Sequence, residues 1–224
     1  MITATYIDHC GSDLSTVNAA RVSFGKESEW EYGEDGTHYL SHKDAKLIKY
    51  LAEHKHFSPF GHAFASFRVK APIFVARQLV KHQYLRWNEI SRRYVDDEPE
   101  FYVPELWRGR SADKKQGSSG DVYYNYKRYV DDEGKHFGID KVCLQEYREM
   151  LEDGIAPEMA RMVLPTSQMT EWYWSGSLDA FADMCKLRCK EDTQYETRLV
   201  ADQISEKMKQ LFPVSWVALV GEQV

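Results

Sequence analysis

The stretch Gln78–Tyr94 (QLVKHQYLRWNEISRRY) constrains the chain most strongly. It concentrates a lysine, a histidine and three arginines with Glu89 and Ser91 in seventeen residues. The residues just before it, Ala71–Arg77, are typical of a helix start, because a proline such as Pro72 is well tolerated in the first helical turn. The sequence therefore predicts a helix that leads directly into a dense group of polar side chains.

The predicted helix presents several of these side chains on one side. Phe74, Gln78 and His82 are spaced i, i+4 and i+8, and Lys81 lies beside them. Amide, ammonium and imidazole groups would then leave the helix together near its C-terminal end. Basic residues in a last turn also complement the helix dipole. The spacing alone therefore leaves two interpretations open, a binding site or an ordinary amphipathic helix followed by a charged loop.

Glu89, Ser91 and Arg93 alternate in the second half of the stretch. If this segment is extended, the three side chains point to the same side. A carboxylate, a hydroxyl and a guanidinium that face one pocket suit a ligand with both a phosphate group and polar ring edges.

Local patterns predict further elements. Ala63–Ala71 alternates and predicts a strand. Ser41 is a suitable N-cap for a helix that runs to His54, and Leu178–Leu187 and Asp192–Leu211 predict two more helices.

Two other patterns predict a helix cap and further helical stretches. Asp13 or Ser15 could cap a short early helix. Rows of aromatic residues predict helical stretches within Tyr123–Leu151, interrupted near Gly134 and Gly138.

Composition narrows the class of protein. The length of 224 residues is ordinary for a single domain, predicted to span residues 1–224. The formal net charge of −6 argues against a polynucleotide or an anionic membrane surface as a partner. There is no apolar run of about 20 residues and no signal-peptide pattern, so a cytoplasmic location is expected.

Cysteine and glycine patterns exclude several kinds of site. Cys185 and Cys189 lie one helical turn apart, but no nearby cysteine or histidine completes a zinc set, so we expect no metal and reduced thiols. The chain has neither G-x-G-x-x-G nor G-x-x-x-x-G-K, so no Rossmann or P-loop nucleotide site is predicted.

Several blocks resemble a known family, the flavin-dependent thymidylate synthases. Lys81-His82-Gln83, seven residues and then Ser91 resemble the family signature R-H-R, seven residues and serine. Four more blocks resemble the family in the same order: Ala19–Phe24, His56–His62, Val69–Gln78 and Ala160–Pro165. The resemblance covers most of the chain and implies an α+β fold, the thymidylate synthase-complementing protein fold, with a small antiparallel sheet flanked by helices.

The resemblance also implies an activity. Family members methylate dUMP reductively to dTMP, taking the carbon from methylenetetrahydrofolate. NADPH reduces FAD, and the reduced flavin delivers hydride to the nucleotide, so the cofactor carries the difficult chemistry. Members are homotetramers whose active sites combine several subunits, and the implied partners are these small molecules alone.

Site residues follow from the matched positions. The implied dUMP ligands are Gln78, Lys81, Glu89, Ser91, Arg93, Arg161 and Arg188. The implied FAD contacts are His56, Ser58, Lys81, His82, Gln83, Glu89, Ser177 and Asp183, although the family usually has asparagine at the last two.

Two of these residues are implied to act in catalysis. Arg188 matches the family arginine at the uracil ring, where a fixed cation favours ionisation of N3. Ser91 could be a nucleophile or a hydrogen-bond partner of dUMP, and the absence of an evident activating base favours the second role. Two other functions stay open: a flavin reductase without methyl transfer, and a nucleotide-binding module without catalysis.

The change from R-H-R to K-H-Q generates a prediction. Lysine lacks the planar fork of arginine, and glutamine lacks the charge. Losing one charge-assisted hydrogen bond costs about 1.5–3 kcal/mol, which is about 10- to 150-fold in affinity. We expect the Lys81→Arg, Gln83→Arg double variant to bind FAD more tightly when the apoprotein is titrated with FAD by fluorescence. An unchanged FAD dissociation constant would contradict this prediction.

Overall fold

The computed structural model describes residues 1–95, 97–112, 117–123 and 129–221. The strands are β1 (Thr3–Cys10), β2 (Glu31–Tyr32), β3 (His38–Tyr39), β4 (Phe64–Pro72), β5 (Arg86–Glu89), β6 (Trp107–Arg110), β7 (Ser118–Tyr123), β8 (Tyr129–Val130), β9 (His136–Phe137) and β10 (Met169–Ser177). The α-helices are α1 (Asp13–Arg21), α2 (His42–Glu53), α3 (Ile73–Leu79), α4 (Ile139–Glu152), α5 (Pro157–Ala160), α6 (Leu178–Arg188), α7 (Tyr195–Leu211) and α8 (Pro213–Val220). Short 3₁₀ turns span Val22–Phe24, Ser58–His62 and Arg161–Val163.

A four-stranded antiparallel sheet in the order β1-β4-β10-β5 forms the centre of the fold. β4 and β10 pair along their whole lengths, from Phe64 opposite Ser177 to Pro72 opposite Met169. Three small two-stranded sheets, β2-β3, β6-β7 and β8-β9, lie outside it. This arrangement is the predicted α+β fold with a small antiparallel sheet, and β4 confirms the predicted strand to within one residue at each end.

Alternating burial along the central strands explains why the sheet packs against helices on one face. The buried side chains at alternating positions are Ala65, Phe67, Val69 and Ala71 in β4 and Thr170, Trp172 and Trp174 in β10. Phe181 of α6 packs its ring edge-on against Phe67 and Trp174, with ring centroids 5.3 and 5.6 Å apart. Aromatic pairs of this geometry add to the free energy gained by burying apolar area. No helix in the described ranges has both the length and the apolar character of a membrane span.

Helix caps follow the sequence in some places and not in others. Ser41 caps α2 as predicted, because its hydroxyl accepts from the Asp44 amide. α1 is capped by Ser12 in a capping box with Ser15, so the prediction of Asp13 or Ser15 as the N-cap is wrong. Asp13 instead lies inside the helix and is 3% exposed.

The helix predicted to reach His82 is shorter than expected. α3 ends at Leu79 with Val80 as its C-cap, and residues 81–85 form a turn. His82 therefore does not share a helix face with Phe74 and Gln78. The turn is fixed by tertiary contacts, described below, that no local pattern reports.

The prediction of helical stretches within Tyr123–Leu151, interrupted near Gly134 and Gly138, is confirmed after Gly138 by α4 but is wrong for the described residues before it. Tyr123 ends strand β7, and a short β8-β9 hairpin turns at Gly134, whose φ of +79° favours glycine. Tyr126 lies outside the described residues. The helix α4 begins only at Ile139.

The buried Asp13 carboxylate joins the first helix to the last. Its two oxygens accept from the backbone amides of Val214 and Ser215 at 2.9 and 2.8 Å, and so satisfy the first turn of α8. The same burial raises the pKa of Asp13, although these hydrogen bonds act in the opposite direction.

We expect Asp13→Ala to lower the free energy of unfolding by about 2 kcal/mol, because the variant loses a helix cap and leaves buried amides without acceptors. Urea denaturation of both proteins measures the difference. Asp8→Ala is the matched control, since Asp8 is exposed on β1 and its loss should change stability little. Equal effects of the two substitutions would contradict the role assigned to Asp13.

Candidate active site

An open cavity of about 780 Å³ lies beside α3. Its walls come from one side of α3, from the residues that end and follow β5, and from residues 161–170, which lead into β10. Its charged side chains are those of Arg77, Arg92, Arg93, Arg161 and Glu89. Guanidinium groups bind phosphate and carboxylate in pairs of hydrogen bonds, so the excess of positive charge suits an anionic ligand.

Strand pairing positions Glu89 at this cavity. β5 runs antiparallel to β10, with Glu89 opposite Trp172. The Ile90 amide then donates to the Glu171 carbonyl at 2.9 Å and extends the pairing by one residue. The backbone of Glu89 is therefore held by the central sheet.

A turn, and not an extended strand, follows. The Ser91 carbonyl accepts from the Tyr94 and Val95 amides at 3.0 and 3.2 Å, and these bonds close the turn. The extended conformation that was considered for Glu89–Arg93 therefore holds only as far as Ile90. The turn nevertheless brings Ser91 and Arg93 to the cavity that Glu89 lines.

The Glu89 carboxylate is held at both oxygens. Thr170 on β10 donates its hydroxyl to Oε1 at 2.7 Å, and the indole Nε1 of Trp87 donates to Oε2 at 3.1 Å. Trp87 is itself fixed, because its ring stacks on buried Trp172 with centroids 4.3 Å apart and planes 18° from parallel.

Three of the four cavity arginines contact backbone carbonyl or aromatic groups. Arg161 donates Nε to the Glu158 carbonyl at 3.2 Å, so these two residues do not form the surface ion pair that their spacing allows. Arg92 donates to the Asp97 carbonyl, and Arg93 lies over the ring of the next tyrosine. Among the described residues, no salt bridge joins any of the four arginines to a carboxylate.

Four residues of this site were not predicted from the sequence. Arg77 shares a helix face with Ile73, Ala76 and Val80, all of which line the cavity, and this i, i+3, i+4, i+7 spacing was a usable signal. Arg92 lies within the polar stretch but outside the matched motif. Trp87 and Thr170 act through tertiary contacts, which no local pattern in the sequence indicates.

A second group of predicted residues lies on the other side of α3. Arg188, at the end of α6, donates Nε to Nε2 of His82 at 3.2 Å and Nη2 to the Gln78 carbonyl at 3.3 Å. The Gln78 side chain bonds to α7 and its N-cap: its Oε1 accepts from the Thr197 hydroxyl at 3.2 Å, and its amide nitrogen donates to Gln194.

His82 is uncharged in this environment. Burial lowers its pKa from 6.5 to about 4, and the positive charge of Arg188 acts in the same direction, while Asp183 opposes both. A neutral imidazole can accept the Arg188 hydrogen bond, whereas an imidazolium cannot. The contact between these two residues therefore requires the deprotonated histidine.

The turn that carries His82 rests on β10. A Cβ atom at Gly176 would lie 2.4 Å from Cδ2 of Leu85 and 3.4 Å from the Tyr84 carbonyl oxygen. Leu85 is buried, so its side chain has little space to move away. Glycine at position 176 therefore allows the turn to approach the strand.

Several of the residues predicted to contact FAD occupy an outer surface beside this second group, whereas Glu89 lines the cavity. His56, Ser58, Lys81 and Gln83 are exposed. Lys186 of α6 connects the surface, because its Nζ lies 5.9 Å from the Phe57 ring and 3.3 Å from Asp183.

The exposed donors fit the phosphate and polar ring edges of a flavin nucleotide in chemical type. Asp183 fits less well, because its carboxylate is already paired with Lys186 and repels phosphate. Ser177 is the N-cap of α6, at the opposite end of the helix from Arg188, and makes no capping hydrogen bond. In the described ranges, no three His, Cys, Asp or Glu side chains group as a metal site.

The predicted dUMP ligands do not converge on one chain. Glu89, Ser91, Arg93 and Arg161 line the cavity. Gln78 and Arg188 are hydrogen-bonded to each other on the opposite side of α3. Lys81 is exposed in the turn after α3 and lines neither group. Each chain thus carries two partial sites.

Comparisons with known proteins agree on one family. Residues 5–214 match the model of the thymidylate synthase complementing protein family. A flavin-dependent thymidylate synthase from Thermus thermophilus is 40% identical over 214 residues, covering 95% of this chain and 73% of that protein. The enzyme of the same name from Kosmotoga olearia is 37% identical, covering 96% of this chain and 88% of that protein.

A solved structure is similar over nearly the whole chain. It is a UMP/dUMP methylase from Streptomyces cacaoi bound with 5-Br dUMP, with a TM-score of 0.76 and 31% sequence identity. The match covers 97% of this chain and 94% of that chain.

The lowered pKa of His82 predicts a dependence of stability on pH. An unfolded histidine binds a proton below about 6.5, but folded His82 does so only below about 4. Between these values the unfolded state binds more protons, so stability falls as pH falls. We expect the unfolding temperature of the wild-type protein to decrease more steeply from pH 6.5 to 4 than that of His82→Gln, measured by differential scanning fluorimetry. His42→Gln, at an exposed position, should retain the wild-type slope.

Proposed function

We propose, from the premise that this chain belongs to the thymidylate synthase complementing protein family, that it methylates dUMP to dTMP. Relatives that share 37–40% of its residues over almost its whole length are named flavin-dependent thymidylate synthases. The similar structure from Streptomyces cacaoi is that of a UMP/dUMP methylase with a dUMP analogue bound. The chain is accordingly an enzyme of this class, and the roles of its individual residues follow as proposals.

The observation that carries the proposal is the cavity with four arginines, none of which forms a salt bridge with a carboxylate among the described residues. We assign Arg93 and Arg161 to the dUMP phosphate, with the Ser91 hydroxyl as a further donor. Each guanidinium can donate two parallel hydrogen bonds to phosphate oxygens. Arg77 and Arg92 line the same cavity and would add to its positive potential.

Arg188 and Gln78 are assigned to the uracil ring. The hydrogen bonds from Arg188 to the His82 nitrogen and to the Gln78 carbonyl fix the orientation of its guanidinium. A fixed positive charge beside the ring stabilises the anion formed when N3 loses its proton. Neutral His82 supports this role, because it orients the arginine without adding a competing positive charge.

We assign Ser91 a non-covalent role. Its Oγ accepts weakly from the Arg93 backbone amide and Nε, both at 3.4 Å. Among the described residues, no histidine or carboxylate side chain is hydrogen-bonded to Ser91, so no base is in place to activate it. The Glu89 carboxylate is engaged by Thr170 and Trp87 instead.

We assign the flavin to the surface that carries His56, Ser58, Lys81, His82 and Gln83. When bound there, FAD reduced by NADPH would supply the hydride that completes the methyl group, and methylenetetrahydrofolate would supply the carbon. The residues of this chain would bind and orient the reactants. Ser177 and Asp183 are proposed as further flavin contacts, and Glu89 would contact the flavin only from the cavity, since its carboxylate lies there.

We further propose that each active site combines residues of at least two copies of the chain in a homotetramer. The separation of the two partial sites across α3 supports this arrangement, because one chain does not bring Arg161 and Arg188 together. A symmetric assembly can place the cavity of one subunit against the Arg188 group of another.

The activity itself is tested by incubating purified protein with dUMP, methylenetetrahydrofolate, NADPH and FAD and measuring dTMP. We expect dTMP to form only when FAD is present. Oxidation of NADPH with bound flavin but without dTMP would favour a flavin reductase, and dUMP binding without either reaction would favour a nucleotide-binding module. A parallel reaction with UMP tests whether the 2′-hydroxyl is tolerated, as the name of the Streptomyces enzyme suggests.

Shared sites predict complementation between inactive variants. Arg161→Gln and Arg188→Gln should each lower kcat/KM by about 100-fold or more, since each removes a charged ligand. When the two are co-expressed, mixed oligomers should contain some sites with both arginines intact, about a quarter for random mixing of two contributing subunits. Activity in the co-expressed sample supports shared sites if Arg161→Gln alone, at the same total protein concentration, remains inactive. No recovery in verified mixed oligomers would contradict them.

A further inference from the structure

We propose that Trp87 and Thr170 are positioning residues that hold the Glu89 carboxylate away from the cavity arginines and so keep those arginines free for the substrate phosphate. We call this pair of donors the Glu89 clamp. The inference rests on the proposed function, because it assigns the freed arginines to the phosphate of dUMP.

The clamp occupies both oxygens of one carboxylate. The Thr170 hydroxyl donates to Oε1 at 2.7 Å and the Trp87 indole donates to Oε2 at 3.1 Å. Thr170 is 6% exposed and lies on β10, so its position is set by the central sheet. Two donors from two strands fix the direction in which the carboxylate points.

The indole donor is as firmly placed as the hydroxyl. Trp87 and Glu89 lie two residues apart on β5 and therefore on the same face of the strand. The Trp87 ring stacks on Trp172, and its edge contacts Trp174 with centroids 5.7 Å apart. Both of these partners are fully buried, so the stack leaves Trp87 little rotational freedom.

Four arginines line the same cavity as the restrained Glu89 carboxylate. Glu89 is the carboxylate that lines the cavity together with four arginines, and none of those arginines forms a salt bridge with a described carboxylate. A flexible glutamate in this place would pair with an arginine, because charge-assisted pairs of this kind are favourable. Such a pair would compete directly with a phosphate for the same guanidinium. The clamp removes that competitor without removing the carboxylate.

The test is a set of variants in which dUMP binding to the FAD-loaded enzyme is measured by isothermal titration calorimetry. Trp87→Phe keeps an aromatic ring on the stack but removes the N–H donor, and Thr170→Val removes the hydroxyl at similar volume. Each should weaken dUMP binding by about 3- to 10-fold. Thr170→Ser retains the hydroxyl and should bind dUMP with the wild-type affinity.

The same two substitutions are then made in a Glu89→Gln background. An amide carries no charge and cannot form an ion pair with the arginines, so here removal of the clamp should change dUMP affinity by less than about twofold. Equal weakening in both backgrounds would show that the substitutions act through packing, and would overturn the clamp. In this thermodynamic cycle, any direct contribution of Glu89 to dUMP binding cancels.

Trp172→Phe is the matched control for the aromatic stack. Among the described residues the buried Trp172 indole nitrogen has no hydrogen-bond partner, so phenylalanine keeps an aromatic ring in the stack and removes no donor to Glu89. We expect dUMP affinity close to that of the wild type, and weakening as large as that in Trp87→Phe would overturn the proposal. If Trp87→Phe does not fold, the Thr170 variants carry the same test.

Binding and turnover separate failure of the clamp from failure of the proposed function. A wild-type protein that binds dUMP but forms no dTMP contradicts the proposed function, while the binding cycle still decides the clamp. If dUMP does not bind, line broadening of inorganic phosphate in ³¹P NMR replaces it as the probe across the same variants. Absence of phosphate binding as well would overturn the clamp, since its arginines would then not be available to an anion.

Discussion

The pairing of β4 with β10 is the interaction on which the rest of the structure depends. Nine residues of each strand pair in register, from Phe64–Ser177 to Met169–Pro72, in the centre of the sheet. α3 follows directly from the end of β4, α6 follows from the end of β10, and β5 is added to the free edge of β10. Because the strands are antiparallel, the two helices begin at opposite ends of the sheet. The eleven residues of α6 span about 16 Å and return Arg188 to the end where α3 carries Gln78.

The chain is acidic as a whole and cationic where it is expected to bind an anion. A net charge of −6 is combined with a cavity that has four arginines and one glutamate. A concave wall of like charges focuses the electric field, so the local potential is set by the cavity and not by the net charge. In the second group, burial keeps His82 neutral beside Arg188, so the histidine adds no charge next to the arginine. In both groups the residue beside the arginines forms no ion pair with them: Glu89 is hydrogen-bonded elsewhere, and His82 is neutral.

Local sequence signals predicted those parts of the fold that local interactions determine. The Ser41 cap of α2 and the alternation of β4 need only neighbouring residues, and both predictions were confirmed. The predicted continuation of α3 to His82 failed because the following turn is held by Leu85 against Gly176, more than ninety positions away. The matched motif indicated which polar residues are candidates for ligand binding, but it could not show that α3 separates them into two groups. Trp87 and Thr170 were missed for the same reason, since their hydrogen bonds to Glu89 depend on the register between β5 and β10.

The contact between Asp13 and the start of α8 has a consequence for how the chain folds. The two hydrogen bonds span 201 and 202 positions in sequence, and a further bond joins the Ala4 amide to Gln203 across 199 positions. Closing such a loop costs chain entropy, which these few bonds repay only once the intervening chain is ordered. Contacts of this kind raise the contact order and slow folding. The first and last segments are therefore expected to join late, after β4 and β10 have paired, and to complete the cooperative unit.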